Sequence, residues 1–140
     1  KLGATGVSTN TPLGTIAGAT VVSSNATLDL AGFTLTAAEP LTLSGTGSTG
    51  SNGALINSGS AATYSGLITL GADATIYSAN NIILSNASTI TGAYGLTLDG
   101  TATGSSLASI LSKHYAEYLT QQTELNAELD INQFNYLFSK

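Results

Sequence analysis

The 140-residue chain contains no cysteine, methionine, tryptophan or arginine, and only two prolines. Each absence removes a class of explanation. Without cysteine there is neither a disulfide framework nor thiolate chemistry. The cations are Lys1, Lys113 and Lys140 alone. Three scattered lysines cannot line a groove for a phosphate backbone, so nucleic acid is excluded as a partner. Charged residues make up 8% of the chain, against about a quarter in ordinary soluble domains. No apolar run approaches the ~18 residues of a membrane-spanning helix. The chain starts on Lys1 and holds no methionine, which leads us to expect a processed or excised product.

What remains is a chain of small residues. Apolar residues reach 42%, enough for a core and too many for a disordered segment. The net charge of −5 is modest. The composition changes near residue 104. Before it, Gly, Ala, Ser, Thr and Asn interleave with short apolar doublets. After it, charge and aromatic residues concentrate. These two stretches, 1–104 and 105–140, are the expected domain organisation.

Period-two patterns fill the first stretch. Leu28 and Leu30 are expected to face inward, with Thr27 and Asp29 outward. After Ala31-Gly32 the parity shifts, and Phe33 and Leu35 take the inner face. Leu41 with Leu43, Leu96 with Leu98, and Ile68, Leu70, Ala72, Ala74 and Ile76 continue the pattern. Strands of ~3–6 residues broken by Gly, Asn or Ser-Gly imply many corners. Leu41-Thr42-Leu43-Ser44-Gly45-Thr46 is echoed by Leu96-Thr97-Leu98-Asp99-Gly100-Thr101. Ser24-Asn25-Ala26-Thr27 is echoed by Ser85-Asn86-Ala87-Ser88. A degenerate repeat of roughly 20–25 residues predicts on the order of four or five coils sharing one narrow core. The predicted fold is all-β: a parallel β-solenoid with a C-terminal helical segment.

Two stretches, residues 63–76 (TYSGLITLGADATI) and 92–100 (GAYGLTLDG), resemble the passenger domains of autotransporters and filamentous-haemagglutinin-like adhesins. The resemblance covers about residues 13–104 and is compositional. It implies a right-handed parallel β-helix, export to the outside or surface of a bacterium, and an adhesive or matrix role. It brings no catalytic residues with it.

The C-terminal stretch reads as helix from Ser106 to Leu129. Leu107, Ile110, Leu111, Tyr115, Tyr118, Leu119, Leu125 and Leu129 recur at three- and four-residue steps, and Ser105 or Ser106 supplies an N-cap. Ile131 to Phe138 fits a strand or a short helix equally. Tyr115, Tyr118, Phe134, Tyr136 and Phe138 are five of the nine aromatic residues. They are the expected contact residues for self-association, as oligomer or filament. Three roles stay open for this stretch: a cap on the last coil, an oligomerisation helix, or a fused segment.

Candidate chemistry is sparse. Asp29, Glu39, Asp73 and Asp99 are isolated in sequence, while glycosidases need carboxylates about 5–9.5 Å apart. They read as solvated turn residues. Calcium needs six to eight oxygens, which lone aspartates do not supply. His114 has no metal-ligating or catalytic company, so neither cofactor nor metal is expected. Asn25 and Asn86 fit the glycosylation sequon, but in a bacterial solenoid they read as corner residues. The leading expectation is a non-catalytic extracellular structural protein, an adhesin passenger fragment or surface-fibre subunit touching a host or matrix surface. The alternative is a ligand-binding solenoid. Thr pairs (Thr34 and Thr36, Thr89 and Thr91, Thr101 and Thr103) would favour ice. An exposed row of Tyr64, Tyr77 and Tyr94 would favour glycan.

Overall fold

The chain divides into two units, Lys1–Leu107 and Ala108–Lys140. A computed structural model describes residues 1–88 and 90–102. The expected helix and the five aromatic contact residues lie outside the described residues, as does His114. Among the described residues all regular structure is β and there is no helix. The strands in chain order are β1 (Asn10–Thr11), β2 (Gly14–Thr15), β3 (Thr20–Val22), β4 (Leu28–Asp29), β5 (Thr34–Leu35), β6 (Leu41–Gly45), β7 (Leu55–Asn57), β8 (Ala62–Tyr64), β9 (Ile68–Ser78), β10 (Ile82–Leu84) and β11 (Leu96–Gly100).

Apart from the β1–β2 hairpin, every strand pairing is parallel. The pairings fall into three sets. In the first, β3 pairs β6, β6 pairs the first half of β9, and Thr69 bridges to Thr91. In the second, β4 pairs β7, β7 pairs the second half of β9, and that half also pairs β11. In the third, Gly6 bridges to Leu35, β5 pairs β8, and β8 pairs β10. Partners stand between 20 residues apart (Ile82 opposite Ala62) and 29 apart (Thr34 opposite Thr63).

Parallel neighbours cannot be joined by a tight turn. Here the intervening chain visits the other two sets before returning. The echoed hexapeptides do not mark this period. Leu41–Gly45 belongs to the first set and Leu96–Gly100 to the second. Their likeness reflects a shared local need, two inward leucines and a glycine end, rather than equivalent places in successive turns.

Alternation decides what is buried. Leu41 and Leu43 are buried while Thr42 between them is half-exposed, and Leu55 and Asn57 flank a half-exposed Ile56. Leu30, Leu35, Leu41, Leu43, Leu55 and Tyr64 form the fully buried centre. The parity change expected at Ala31-Gly32 has a backbone cause. Both residues adopt positive φ, 53° and 81°, which turns the chain. A side chain at Gly32 would put its Cβ 2.8 Å from the Ser60 nitrogen. Ala31 is held in this costly region by an Asp29 carboxylate oxygen that accepts its N–H at 2.9 Å.

Candidate functional site

The described chain has two ends that differ chemically, and they are where residues meet that are far apart in sequence. At the first end, the Leu2 N–H donates to Asp29 O at 2.8 Å and the Gly6 N–H to Thr34 O at 3.1 Å. These bonds cover the free edges of β4 and β5. The β1–β2 hairpin follows, with Asn10 opposite Thr15. It lays Leu13 against the core, and Leu2 is buried.

Glu39 fastens this hairpin. Its side chain is 2% exposed. One carboxylate oxygen accepts from the Thr11 hydroxyl in β1, the other from the Thr20 hydroxyl at the start of β3. Its backbone carbonyl accepts from the Tyr64 hydroxyl at 2.7 Å. A buried carboxylate must be hydrogen-bonded to be tolerated, and here both oxygens are. Burial pushes the Tyr64 phenol well above its ordinary range, and the Glu39 charge adds to the effect.

A second polar node holds the turns that leave β4 and β7. Asp29 is buried. Its carboxylate accepts from the Ser58 N–H at 3.0 Å, the Ser58 hydroxyl at 2.6 Å and the Ala31 N–H at 2.9 Å, with the exposed Lys1 Nζ at 3.8 Å. Burial by itself would raise this carboxyl. The Ser58 and Ala31 hydrogen bonds and the Lys1 charge outweigh it and hold the group below its ordinary value. Asn57, 1% exposed, accepts from the Gly32 N–H at 2.8 Å and donates to Ser60 O and Asn81 O at 2.6 and 3.0 Å. One amide therefore ties three successive turns.

Asp29 and Glu39 are thus not the solvated turn residues the sequence suggested. Apart from Ala31, their hydrogen-bond partners stand 19 to 29 residues away in sequence, beyond any local reading. Asp73 and Asp99 are exposed, as expected, but they stand in strands β9 and β11 rather than in turns, accepting from the Gly95 and Gly100 N–H groups at 2.8 and 2.7 Å. Among the described residues no three acidic or histidine side chains converge.

The expected tyrosine row is corrected as well. Tyr64 is fully buried, Tyr77 half-buried and Tyr94 exposed, so these rings form no common platform. The Asn86 amide donates to Ser65 O at 2.8 Å.

At the second end, among the described residues, β10 pairs only β8, and β11 pairs only β9. Ile82 in β10 is buried, while Leu84, Ile90, Leu96 and Leu98 are half-buried against the core. In β11 the outer face carries Thr97 and Asp99, both exposed. Gly95 O accepts the Ala74 N–H at 2.9 Å. Ladder alternation then directs Thr97 and Asp99 backbone groups towards β9 and those of Leu96, Leu98 and Gly100 towards the open side.

Comparison with known proteins found no matching family model, curated protein or solved structure.

Proposed function

We propose that this chain is a non-catalytic structural protein built on a parallel β-solenoid, working outside or on the surface of a bacterium. The observation that carries the reading is the threefold recurrence of parallel register, each set advancing along the chain as its neighbours do. A coil that returns to pair with itself satisfies its backbone through the next coil and buries one inner face. The reading also draws on what the acids do. Asp29 holds turns, Glu39 pins the hairpin, and Asp73 and Asp99 accept backbone N–H groups, so each has structural work of its own. The remaining surface is hydroxyl and amide, suited to many weak contacts with a host or matrix surface, as in the adhesins the sequence resembles. Self-association through strand edges or through residues 105–140 would extend so short a stack into a fibre.

Coil order is tested by paired cysteines, since the chain has none of its own. Thr42 stands opposite Thr69, and adjacent strands lie about 4.8 Å apart, within disulfide reach. Oxidation should close Thr42→Cys/Thr69→Cys and leave Thr42→Cys/Thr91→Cys open. The opposite pattern overturns the solenoid. Function is tested by presenting the full chain to matrix and glycan surfaces and to a panel of polysaccharides. Weak, broad retention without turnover is expected, and measurable turnover of any polysaccharide overturns the reading.

One observation favours the ligand-binding alternative. Thr42, Thr69 and Thr91 stand in file on the first set, with the Thr69 and Thr91 hydroxyls 3.2 Å apart. An ice-binding surface needs such hydroxyls ranked in two dimensions. Inhibition of ice recrystallisation by the full chain, abolished in Thr69→Val, would establish it.

A further inference from the structure

The passage from the first set of pairings to the second is built differently in successive turns of the chain. Residues 23–27 join β3 to β4, residues 46–54 join β6 to β7, and β9 runs through without a break. The middle connection is the long one, and its end is clamped. The Thr27 and Ser51 hydroxyls stand 3.0 and 3.1 Å from Gly53 O, and the next N–H, that of Ala54, donates to Thr75 O at 2.8 Å. A side chain at Gly53 would put its Cβ 2.9 Å from the Tyr77 nitrogen and 3.0 Å from Thr75 O, so only glycine fits. The residue before it is Asn52, which is exposed. Of all the asparagines in the chain, Asn52 alone precedes a glycine. Asparagine is a thermolabile residue, and a following glycine presents its backbone nitrogen with no side chain to screen it.

We propose that Asn52 is a self-modification site, converting to isoaspartate through a cyclic imide formed with Gly53, and that the conversion unclamps this corner. The Gly53 nitrogen attacks Asn52 Cγ and gives up its proton. The Cγ–Nδ2 bond breaks and ammonia leaves, closing a five-membered imide. Water then adds to one of the two imide carbonyls. Addition at Cγ breaks the Cγ–N bond and gives aspartate. Addition at the main-chain carbonyl breaks that C–N bond and gives isoaspartate, with the chain now running through Cγ. Only water is consumed, and nothing is oxidised or reduced. Isoaspartate adds one carbon to the main chain directly before Gly53, where the Tyr77 and Thr75 backbones leave no room. The lengthened chain therefore cannot keep both the clamp on Gly53 O and the Ala54 bond to Thr75 O. Asn57-Ser58 shows the protected case. The Asn57 amide donates to Ser60 O and Asn81 O and its oxygen accepts from the Gly32 N–H, so that buried side chain is fixed and cannot swing to the Ser58 nitrogen. The inference concerns the chemistry of the chain itself and does not rest on the proposed function.

The test is ageing of the folded, full-length chain in warm, mildly alkaline buffer, followed by peptide mapping with mass spectrometry and enzymatic methylation of isoaspartate. Residue 52 should convert about tenfold or more faster than Asn25, Asn57 or Asn86, its mass rising by the difference between an oxygen and an NH. Amide exchange at Ala54 should accelerate in the aged chain, while that of Ile82–Leu84 in β10 does not change. Asn52→Gln would have to close a less favourable six-membered ring, so it should lose the conversion and keep the slow exchange of the fresh chain. Asn52→Asp carries the new charge without the longer main chain, and when fresh it should also keep the slow exchange. Conversion seen only after denaturation, faster conversion at another asparagine, or an aged chain whose Ala54 exchange matches that of the fresh one overturns the proposal.

Discussion

The two ends of the described stack are built from the same kinds of residue and are treated oppositely. At the first, a carboxylate is drawn 19 and 28 residues away from its hydroxyl partners to pin a hairpin over buried leucines. At the second, leucines in the same alternating pattern stay half-exposed and a strand edge has no partner among the described residues. The contrast teaches that burial here is conferred by the neighbouring layer and not by the strand itself. Leu43 and Leu98 sit in nearly the same local sequence, and only Leu43, with described layers on both sides, is fully buried.

Changes that fill space where one layer presses on the next should be the most damaging. A Cβ on Gly66 would lie 1.7 Å from Glu39 O, whereas one on Gly95, beside β11, meets nothing nearer than the Asp73 carboxylate at 3.3 Å. Gly66→Ala is expected to cost more than about 4 kcal/mol or abolish folding, and Gly95→Ala to stay within about 0.5 kcal/mol of neutral. Equal costs in urea denaturation would erase the contrast.

Next come the leucines. Leu43→Ala empties a fully buried site and should cost about 2–5 kcal/mol. Leu98→Ala removes a half-buried side chain and should cost about half as much or less. A larger loss at Leu98 would mean that its exposed face is covered in solution.

Glu39→Ala strips both threonine hydroxyls of their acceptor and should cost about 1.5–3 kcal/mol. Its signature is regional. Amide exchange across residues 9–16 should accelerate while that of 96–100 does not change. Uniform acceleration would deny the hairpin its role as a separately fastened cover.

The smallest effect is on pH. Asp29 is held below its ordinary value near 3.8, so its contribution is complete above that value and is lost as pH falls through the lower folded one. Stability should therefore decline below about pH 4, and Asp29→Asn should flatten that decline. Tyr64 acts at the other extreme. Its raised phenol favours the neutral form when folded, so that contribution is present below about pH 10 and is lost as pH climbs beyond it. Tyr64→Phe should remove that alkaline loss. An acid slope unchanged in Asp29→Asn would assign it to other carboxylates.

The legible part of the fold was the part governed by nearest neighbours. Leu41 and Leu43, or Ile68 and Leu70, declare a strand because side chains alternate every second residue, and Ala31-Gly32 declares a turn because glycine tolerates positive φ. The direction of pairing followed from corners too frequent for hairpins. The polar nodes were not legible. Glu39 is surrounded in sequence by Ala37, Ala38 and Pro40, and nothing there announces Thr11, Thr20 or Tyr64. Asp29 sits in a strand whose alternation would point it to solvent, and Ser58, one layer on, supplies two of the donors that let it stay buried, beside the Ala31 N–H. The β1–β2 hairpin escaped notice because residues 9–16 hold few apolar residues to alternate. The five aromatic contact residues expected between Tyr115 and Phe138 lie outside the described residues.

The position of Glu39 also sets an order of events during synthesis. The chain is made from its first residue onward, and the hairpin at residues 10–15 has nothing to fasten it until position 39 has emerged. From then on each newly made strand finds a parallel neighbour already in place, so pairing advances in one direction along the described residues. The layer of β10 and β11 is the last of the described strands to be made, and it meets a ladder that is already assembled.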